Sequence, residues 1–315
     1  MERDIIPPID RELLKQELNS DRFFRKTNNA GNEIYIITCH DSPNTLREIG
    51  RLREISFRTA GGGTGKEADL DDYDYADVPY RQLIVWDPAS EEVVGGYRYM
   101  LCWEVPKDES GDPEIATAEL FSFSDMFKKD YLPYTIELGR SFVQPAYQPS
   151  RENRKSIYSL DNLWDGLGGL VVDYPQTKYF LGKVTMFSHF DQYARDLILF
   201  FMHRFFPDQE GLVKPHKPLH VKTPAEELDK EFEGKSFEES YKHLSHRVRE
   251  RKENIPPLFN SYMGLSPTMK TFGTAFNEGF GGVEETGILI TIGDIYEAKA
   301  RRHINTHRPQ NKKDK

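Results

Sequence analysis

The chain is 315 residues long, enough to bury a sizeable core in one large domain or two small ones. Hydrophobic residues make up 37% and charged residues 30%, the balance of a globular rather than a disordered chain. A net charge of −9 argues against general nucleic-acid affinity, no apolar run approaches the ~18 residues a membrane span needs, and Met1-Glu-Arg-Asp is unlike a signal peptide.

In chain order, Pro7-Pro8 precede a predicted helix from about Asp10 to Leu18, with Leu13, Leu14 and Leu18 on one side. Arg22-Phe-Phe-Arg-Lys26 sets an aromatic pair among cations, which reads either as a lead-in docked on the domain or as a contact with a membrane surface. Glu33 to Cys39 is a strand. Cys39 and Cys102 both fall in predicted strands, as buried thiols rather than a disulfide, and a cytoplasmic location is expected. Asp41 or Ser42 caps the next helix, whose face of Leu46, Ile49, Leu52 and Ile55 runs to about Phe57. Glycines 61, 62, 63 and 65 end it. Gly61 to Lys66 is no Walker loop, because Ala60 and Glu67 stand where Gly and Ser or Thr are required, and a lid or substrate loop is the expectation. Asp69-Leu-Asp-Asp-Tyr-Asp74 gathers carboxylates as a solvated loop or as a site for a cationic amine; it lacks the Gly and distal Glu of a calcium loop.

Arg81 to Trp86 is a strand, Asp87-Pro-Ala-Ser a turn, and Val93 to Trp103 the returning strand of a hairpin, with Arg98 in apolar company. Residues 106–131 form a polar loop in which Phe121, Phe123, Met126 and Phe127 either cover an apolar tunnel or fill the core. Tyr134 to Val143 reads as a buried strand, yet it carries Glu137 and Arg140. Taking a charge out of water is costly unless it is paired, so a strand that accepts two is using them. Pro145 and Pro149 end that strand, Arg151, Arg154 and Lys155 make a basic loop, and a helix capped by Asp161 follows. A strand, loop and helix in that order present N–H groups to an anionic ligand.

Lys178 to Phe187 is a strand and Asp191 to Phe206 an apolar helix. Residues 207–254 hold two capping-box helices, starting at Thr223 (with Glu226) and Ser236 (with Glu239). Ile255-Pro-Pro-Leu-Phe259 returns to the core, Gly287 to Gly293 is a late strand, and the tail from about His307 is frayed. His243 with His246, and His303 with His307, have helical spacing but no third ligand, so no metal is expected. Gly139-Arg-Ser141-Phe-Val143 is not a nucleophile elbow.

Several of these segments match one family in order. Arg51 to Phe57 is similar to its first-helix pattern, though with Ser56 where a bulkier residue is usual. Asp69-x-Asp71-x-x-Asp74 fits its acidic motif, and Val93-Val-Gly-Gly-Tyr-Arg98 its central strand. Glu137-Leu-Gly-Arg-Ser141, followed by Val143, Pro145 and Tyr147, fits its most specific signature. Ile255 to Tyr262, Gly279-Phe280 and the strand near residue 290 resemble its carboxy-terminal part. The chain, over roughly residues 10–305, thus resembles the GNAT-superfamily N-acyltransferases that take fatty acyl groups from acyl carrier protein, of the ornithine-lipid and amino-acid-lipid type. Acyl-homoserine-lactone synthases are more distant kin, and relatives are often labelled hemolysin-like.

The resemblance implies an α/β (α+β) three-layer fold: a twisted mixed sheet flanked by helices, with splayed central strands at 134–143 and 178–187. It divides the chain into a lead-in (1–32), a GNAT-like core (33–206), a helical insertion (207–254), the rest of the core (255–307) and a disordered tail (308–315). It implies an acyltransferase with no bound cofactor and no metal. The donor would be acyl carrier protein (acyl-ACP) or acyl-CoA, and the acceptor a small amino acid such as glycine, ornithine, lysine or serine. Acyl carrier protein is the expected partner, with peripheral contact at the inner membrane surface and no nucleic acid. Glu137 would act as general base, directly or through one water. Arg98 and Arg140 would hold the acidic motif or the acceptor's carboxylate. Asp69, Asp71, Asp74, Arg53 and Ser141 would order the acceptor side. Val143, Arg151, Arg154 and Lys155 would take the phosphate end of the pantetheine arm, and Phe121, Phe123, Phe127, Trp164 and Phe187 would line the acyl chain. Three alternatives stay open: a buried ion network that only supports the fold, a signal synthase using S-adenosylmethionine as the amine, and a non-catalytic lipid or carrier-protein binding module.

Overall fold

Alternating side chains sort the two faces of the sheet. In β3 (Arg81–Asp87), Leu83 and Val85 point into one core while Ile84 and Trp86 point into another. A computed structural model describes residues 2–148 and 157–309. Its main sheet has eight strands in the order β1 (Phe23–Lys26), β2 (Glu33–Ile37), β3, β4 (Glu92–Leu101), β6 (Thr135–Val143), β7 (Tyr179–Met186), β10 (Val283–Thr291) and β9 (Lys270–Asn277). β6 and β7 run parallel, and the other neighbouring pairs are antiparallel. A two-stranded ribbon, β5 (Phe121–Phe123) with β8 (Val213–Pro215), stands apart.

Helices cover both faces. On one side α1 (Arg11–Glu17) and α2 (Pro43–Thr59) pack Leu14, Leu46, Ile49 and Leu52 against Ile84, Trp86, Val93 and Phe142. On the other, α4 (Ser159–Asp173) and α5 (Gln192–Phe205) cover Leu83, Val85, Tyr97 and Leu138. α6 (Ala225–Phe232) and α7 (Phe237–Glu250) add Leu228, Phe232, Leu244 and Val248 to that core, beside α8 (Pro257–Met263). The three layers and mixed sheet are those the resemblance implies. Among the described residues no helix is long and apolar enough to cross a membrane.

The helix starts differ from the local signals in an instructive way. Ser42 flanks α2 without a side-chain cap; the Glu17 carboxylate arrives from α1 and accepts from the Asn44 and Thr45 N–H groups at 3.0 and 2.7 Å. Asp161 does not cap α4, which begins at Ser159, and instead pairs with Arg302 at 2.7 Å. Thr223 forms no capping box, because Asp196 accepts from both its N–H and its hydroxyl. The Ser236–Glu239 box does form. In the lead-in, β1 buries Phe24 and Arg25, and the Arg25 guanidinium binds the Asp165 carbonyl and Asn28, so neither residue is offered to a membrane surface.

Candidate active site

The site originates in one extra residue. Arg98 of β4 pairs with Gly139 of β6, and Gly96 pairs with Phe142, so Tyr97 faces two β6 residues, Arg140 and Ser141. That is a β-bulge, with Arg140 at φ +49°, a left-handed conformation that costs a non-glycine residue about 1–2 kcal/mol. The bulge inverts the alternation. Before it, Ile136 and Leu138 face the α4–α5 core; after it, Phe142 faces the α1–α2 core.

β6 and β7 are hydrogen-bonded from Thr135 with Tyr179 to Leu138 with Gly182, and then part. Past that point β6 continues along β4 to Val143, and β7 along β10 to Met186. The gap holds a cavity of about 220 Å³ lined by Leu138, Gly139, Arg140 and Ser141 on one strand and Lys183 and Thr185 on the other. Two backbones meet near it: a Cβ at Gly281 (φ +77°), next to the lining residue Phe280, would lie 3.0 Å from the Gly62 Cα. Phe57 and Phe280 pack edge to face beside it, and the Arg140 guanidinium sits 4.2 Å from the Phe280 ring centre.

Glu137 lines this cavity yet is only 2% exposed. Its Oε1 accepts from the Thr117 N–H at 2.7 Å and from the Thr117 hydroxyl, and its Oε2 accepts from the Tyr80 hydroxyl. A carboxylate has about four acceptor positions, so roughly one is left. Burial, and then the charge of Glu137, push the Tyr80 phenol well above its ordinary pKa.

An ion cluster of Arg53, Arg98 and Arg140 with Asp69, Asp71 and Asp74 runs from the cavity wall into the interior. Asp74 is its centre, receiving Gln82 Nε2 at 2.9 Å, Arg98 at 3.3 Å and Arg53 at 3.4 Å. Arg98 Nη1 meets both Asp71 oxygens at 2.7 and 2.8 Å, and Arg140 Nε meets both Asp69 oxygens at 3.1 and 2.9 Å. The acidic motif is therefore not a loose loop. α3 (Asp72–Tyr75) is one helical turn whose Asp71 N–H donates to the Asp74 carboxylate. Burial works against the Arg98 charge, but Asp74 and Asp71 outweigh it and raise the pKa well above its ordinary value. Asp71 is pushed up by burial and, on balance, held below its usual range by Arg98. For Asp69 burial prevails over Arg140 and the pKa is raised.

Of the sequence-derived candidates, Glu137, Arg98, Arg140, Asp71 and Ser141 share the cavity, while Arg53, Asp69 and Asp74 stand behind it. Val143 lies at the end of β6 and pairs with Gly95. Arg151, Arg154 and Lys155 lie outside the described residues. Phe121, Phe123 and Phe127 fill a second core with Leu181 and Leu289 rather than lining this cavity. The glycine loop does line it, through Thr64 and Lys66, but is tied down: the buried Glu54 carboxylate accepts from the N–H groups of Thr64 and Gly65 at 3.1 and 2.8 Å. Sequence reasoning missed Tyr80 and Thr117, which hold Glu137, and Lys183 and Glu285, which face each other at 3.8 Å across the β7–β10 pair. Lys183 carried the same signal as Glu137, a charge inside an apolar strand.

A family model described as an acetyltransferase (GNAT) domain matches residues 52–155. A glycine N(alpha)-acyltransferase of Phocaeicola vulgatus is 55% identical over 303 residues, covering 96% of this chain and 93% of its own length. One of Bacteroides thetaiotaomicron is also 55% identical, covering 96% and 90%. Among solved structures, the CoA-dependent acyl-homoserine lactone synthase MesI aligns over 88% of this chain and 97% of its own with 12% identity and a TM-score of 0.35, too distant to bear on the donor. The chain belongs with these two relatives to the GNAT N-acyltransferases, and it is an acyltransferase.

Proposed function

We propose that this chain transfers a fatty acyl group, 3-hydroxyacyl chains included, from the thioester of acyl carrier protein to the amino group of glycine. The observation that carries the reading is the 55% identity, over nearly the whole chain, to two proteins named for that acceptor. The parted strands supply the place for the donor. Past Leu138 and Gly182 their facing edges are no longer bonded to each other, and an extended pantetheine arm with two amides can lie between them as a strand would. CoA carries the same arm and is the other donor. The product, an N-acylglycine, is an amphiphile and a lyso-aminolipid, which suits release at the inner membrane surface.

In the reaction the amine attacks the thioester carbonyl, the C–N bond forms, the C–S bond breaks, and a proton passes from nitrogen to the departing sulfur. Glu137 takes the amine proton at its remaining acceptor position, directly or through one water. Arg98 acts by holding Asp71 at the cavity wall, and Arg140 by pairing with Asp69 behind it.

The test is purified protein with acyl carrier protein or CoA thioesters and a panel of amino acids, with products read by mass spectrometry. N-acylglycine from the carrier-protein donor is the expected result, and a different preferred acceptor or no amide product refutes the reading. Glu137→Gln is expected to lower kcat about 10²–10⁴-fold with melting unchanged. Retained turnover removes the base assignment, and turnover lost together with folding assigns Glu137 to support of the fold.

A further inference from the structure

We propose that the acceptor is clamped at both ends by two side chains outside the acid–base machinery, Lys66 for its carboxylate and Glu119 for its ammonium. The proposal rests on the reading of an α-amino acid as acceptor. It starts from an accounting of charge in the cavity. The charges of Arg98 and Arg140 are already balanced by Asp71, Asp74 and Asp69. Lys183 donates to the Ala116 carbonyl at 3.0 Å and faces Glu285 at 3.8 Å. Glu137 is filled by Tyr80 and Thr117 save for about one position. Two charged groups on the wall remain without an ionic partner among the described residues: the Lys66 ammonium and the Glu119 carboxylate, which lies by the Tyr73 hydroxyl. One cation and one anion are the complement of a zwitterion.

The surroundings fit the assignment. Lys66 is placed by its backbone: its carbonyl accepts from Arg58, and its neighbours Thr64 and Gly65 are held by Glu54, which leaves the side chain unspent. It also lines a second cavity of about 500 Å³, where Arg3 and Arg47 stand near Glu67. The charged groups lining it are net positive and would concentrate a carboxylate beside Lys66. Glu119 closes the short turn Ala116–Glu119, and Thr117 of that turn is the residue that grips Glu137. One turn thus places the ammonium site beside the base.

The experiment compares wild type with Lys66→Met, Lys66→Arg and Glu119→Gln, with glycine and glycinamide as acceptors and the acyl donor varied separately. Losing one charge-assisted contact is expected to raise the KM for glycine about tenfold or more in Lys66→Met and in Glu119→Gln, with the donor KM unchanged. Wild type is expected to favour glycine over glycinamide, which has no carboxylate, by a similar factor. Lys66→Met should lose that preference and Lys66→Arg should keep it. An unchanged glycine KM in either variant, a preference that survives Lys66→Met, or a rise confined to the donor KM overturns the clamp; the last would make Lys66 a donor phosphate contact. A wild type that forms no N-acylglycine defeats the functional reading itself and is seen before any variant is compared.

Discussion

Arg98→Met tests whether the ion cluster is a supporting frame. The substitution keeps approximate length but takes one guanidinium from three, leaving Asp69, Asp71 and Asp74 against Arg53 and Arg140. Arg98 is 2% exposed and Asp74 fully buried, so water replaces the lost bond to Asp74 poorly. Removing one partner of a buried pair costs about 3–5 kcal/mol, a large fraction of the 5–15 kcal/mol that holds a typical domain together. Pairing the change with Asp71→Asn restores the balance of charges. The double variant should then be more stable than the two single losses added together, with a coupling of about 1–3 kcal/mol. Equilibrium urea denaturation of the four proteins gives the cycle. An Arg98→Met protein within about 1 kcal/mol of wild type, or strictly additive losses, would refute the view that these charges hold one another.

Two further outcomes follow from particular contacts. A Cβ at Gly95 would lie 3.0 Å from the Val143 Cα and closer still to the Phe142 carbonyl oxygen, so Gly95→Ala pushes β4 off β6 beside the bulge; a loss of about 1–3 kcal/mol by urea denaturation is expected. Glu231 joins α6 to α7 through His243 and Arg247, and to α5 through Tyr193. Burial opposes its charge, but the bonds from His243, Tyr193 and Arg247 prevail and lower its pKa from 4.5 to about 2. A depressed carboxylate stabilises the fold above its unfolded value, so that contribution is present above pH 4.5 and lost as pH falls toward about 2. Glu231→Gln should flatten the pH dependence of the unfolding midpoint across that window, and an unchanged slope would count against the linkage.

Much of the site was legible because buried charge is conspicuous. Glu137, Arg98 and Arg140 stood out as ionised groups in apolar runs, and the structure gives each a partner. What was not legible depends on residues far apart in the chain. Glu17 reaches α2 from a different helix, so no pattern near Ser42 announces it. The Thr223–Glu226 spacing is a sound capping signal, defeated because Asp196 competes for the same groups. For Arg22 to Lys26 the sequence leaves docking on the domain and a membrane contact both open, and the burial of Arg25 that decides it depends on carbonyls of α4 and of the last helix, α9 (Glu297–His303).

The opening itself shows the same division. The tyrosine, threonine and branched residues of β6 and β7 predict strands; nothing in either sequence says that they part. The reason lies in the pleat. β6 carries an extra residue against β4, so its side chains change faces between Leu138 and Phe142. β7 has no such insertion against β10, and Phe180, Val184 and Met186 stay on the α4–α5 side to its end. Two parallel strands keep their ladder only while they stay in phase, because a one-residue slip turns every side chain to the other face. Beyond Leu138 the phase is lost, the ladder stops, and the facing edges of the two strands line the cavity instead of pairing with each other. Main-chain groups on such edges need a bonding partner, and an amide-bearing arm is a ligand that can supply one. The bulge that strains Arg140 thus also accounts for the point at which β6 and β7 part.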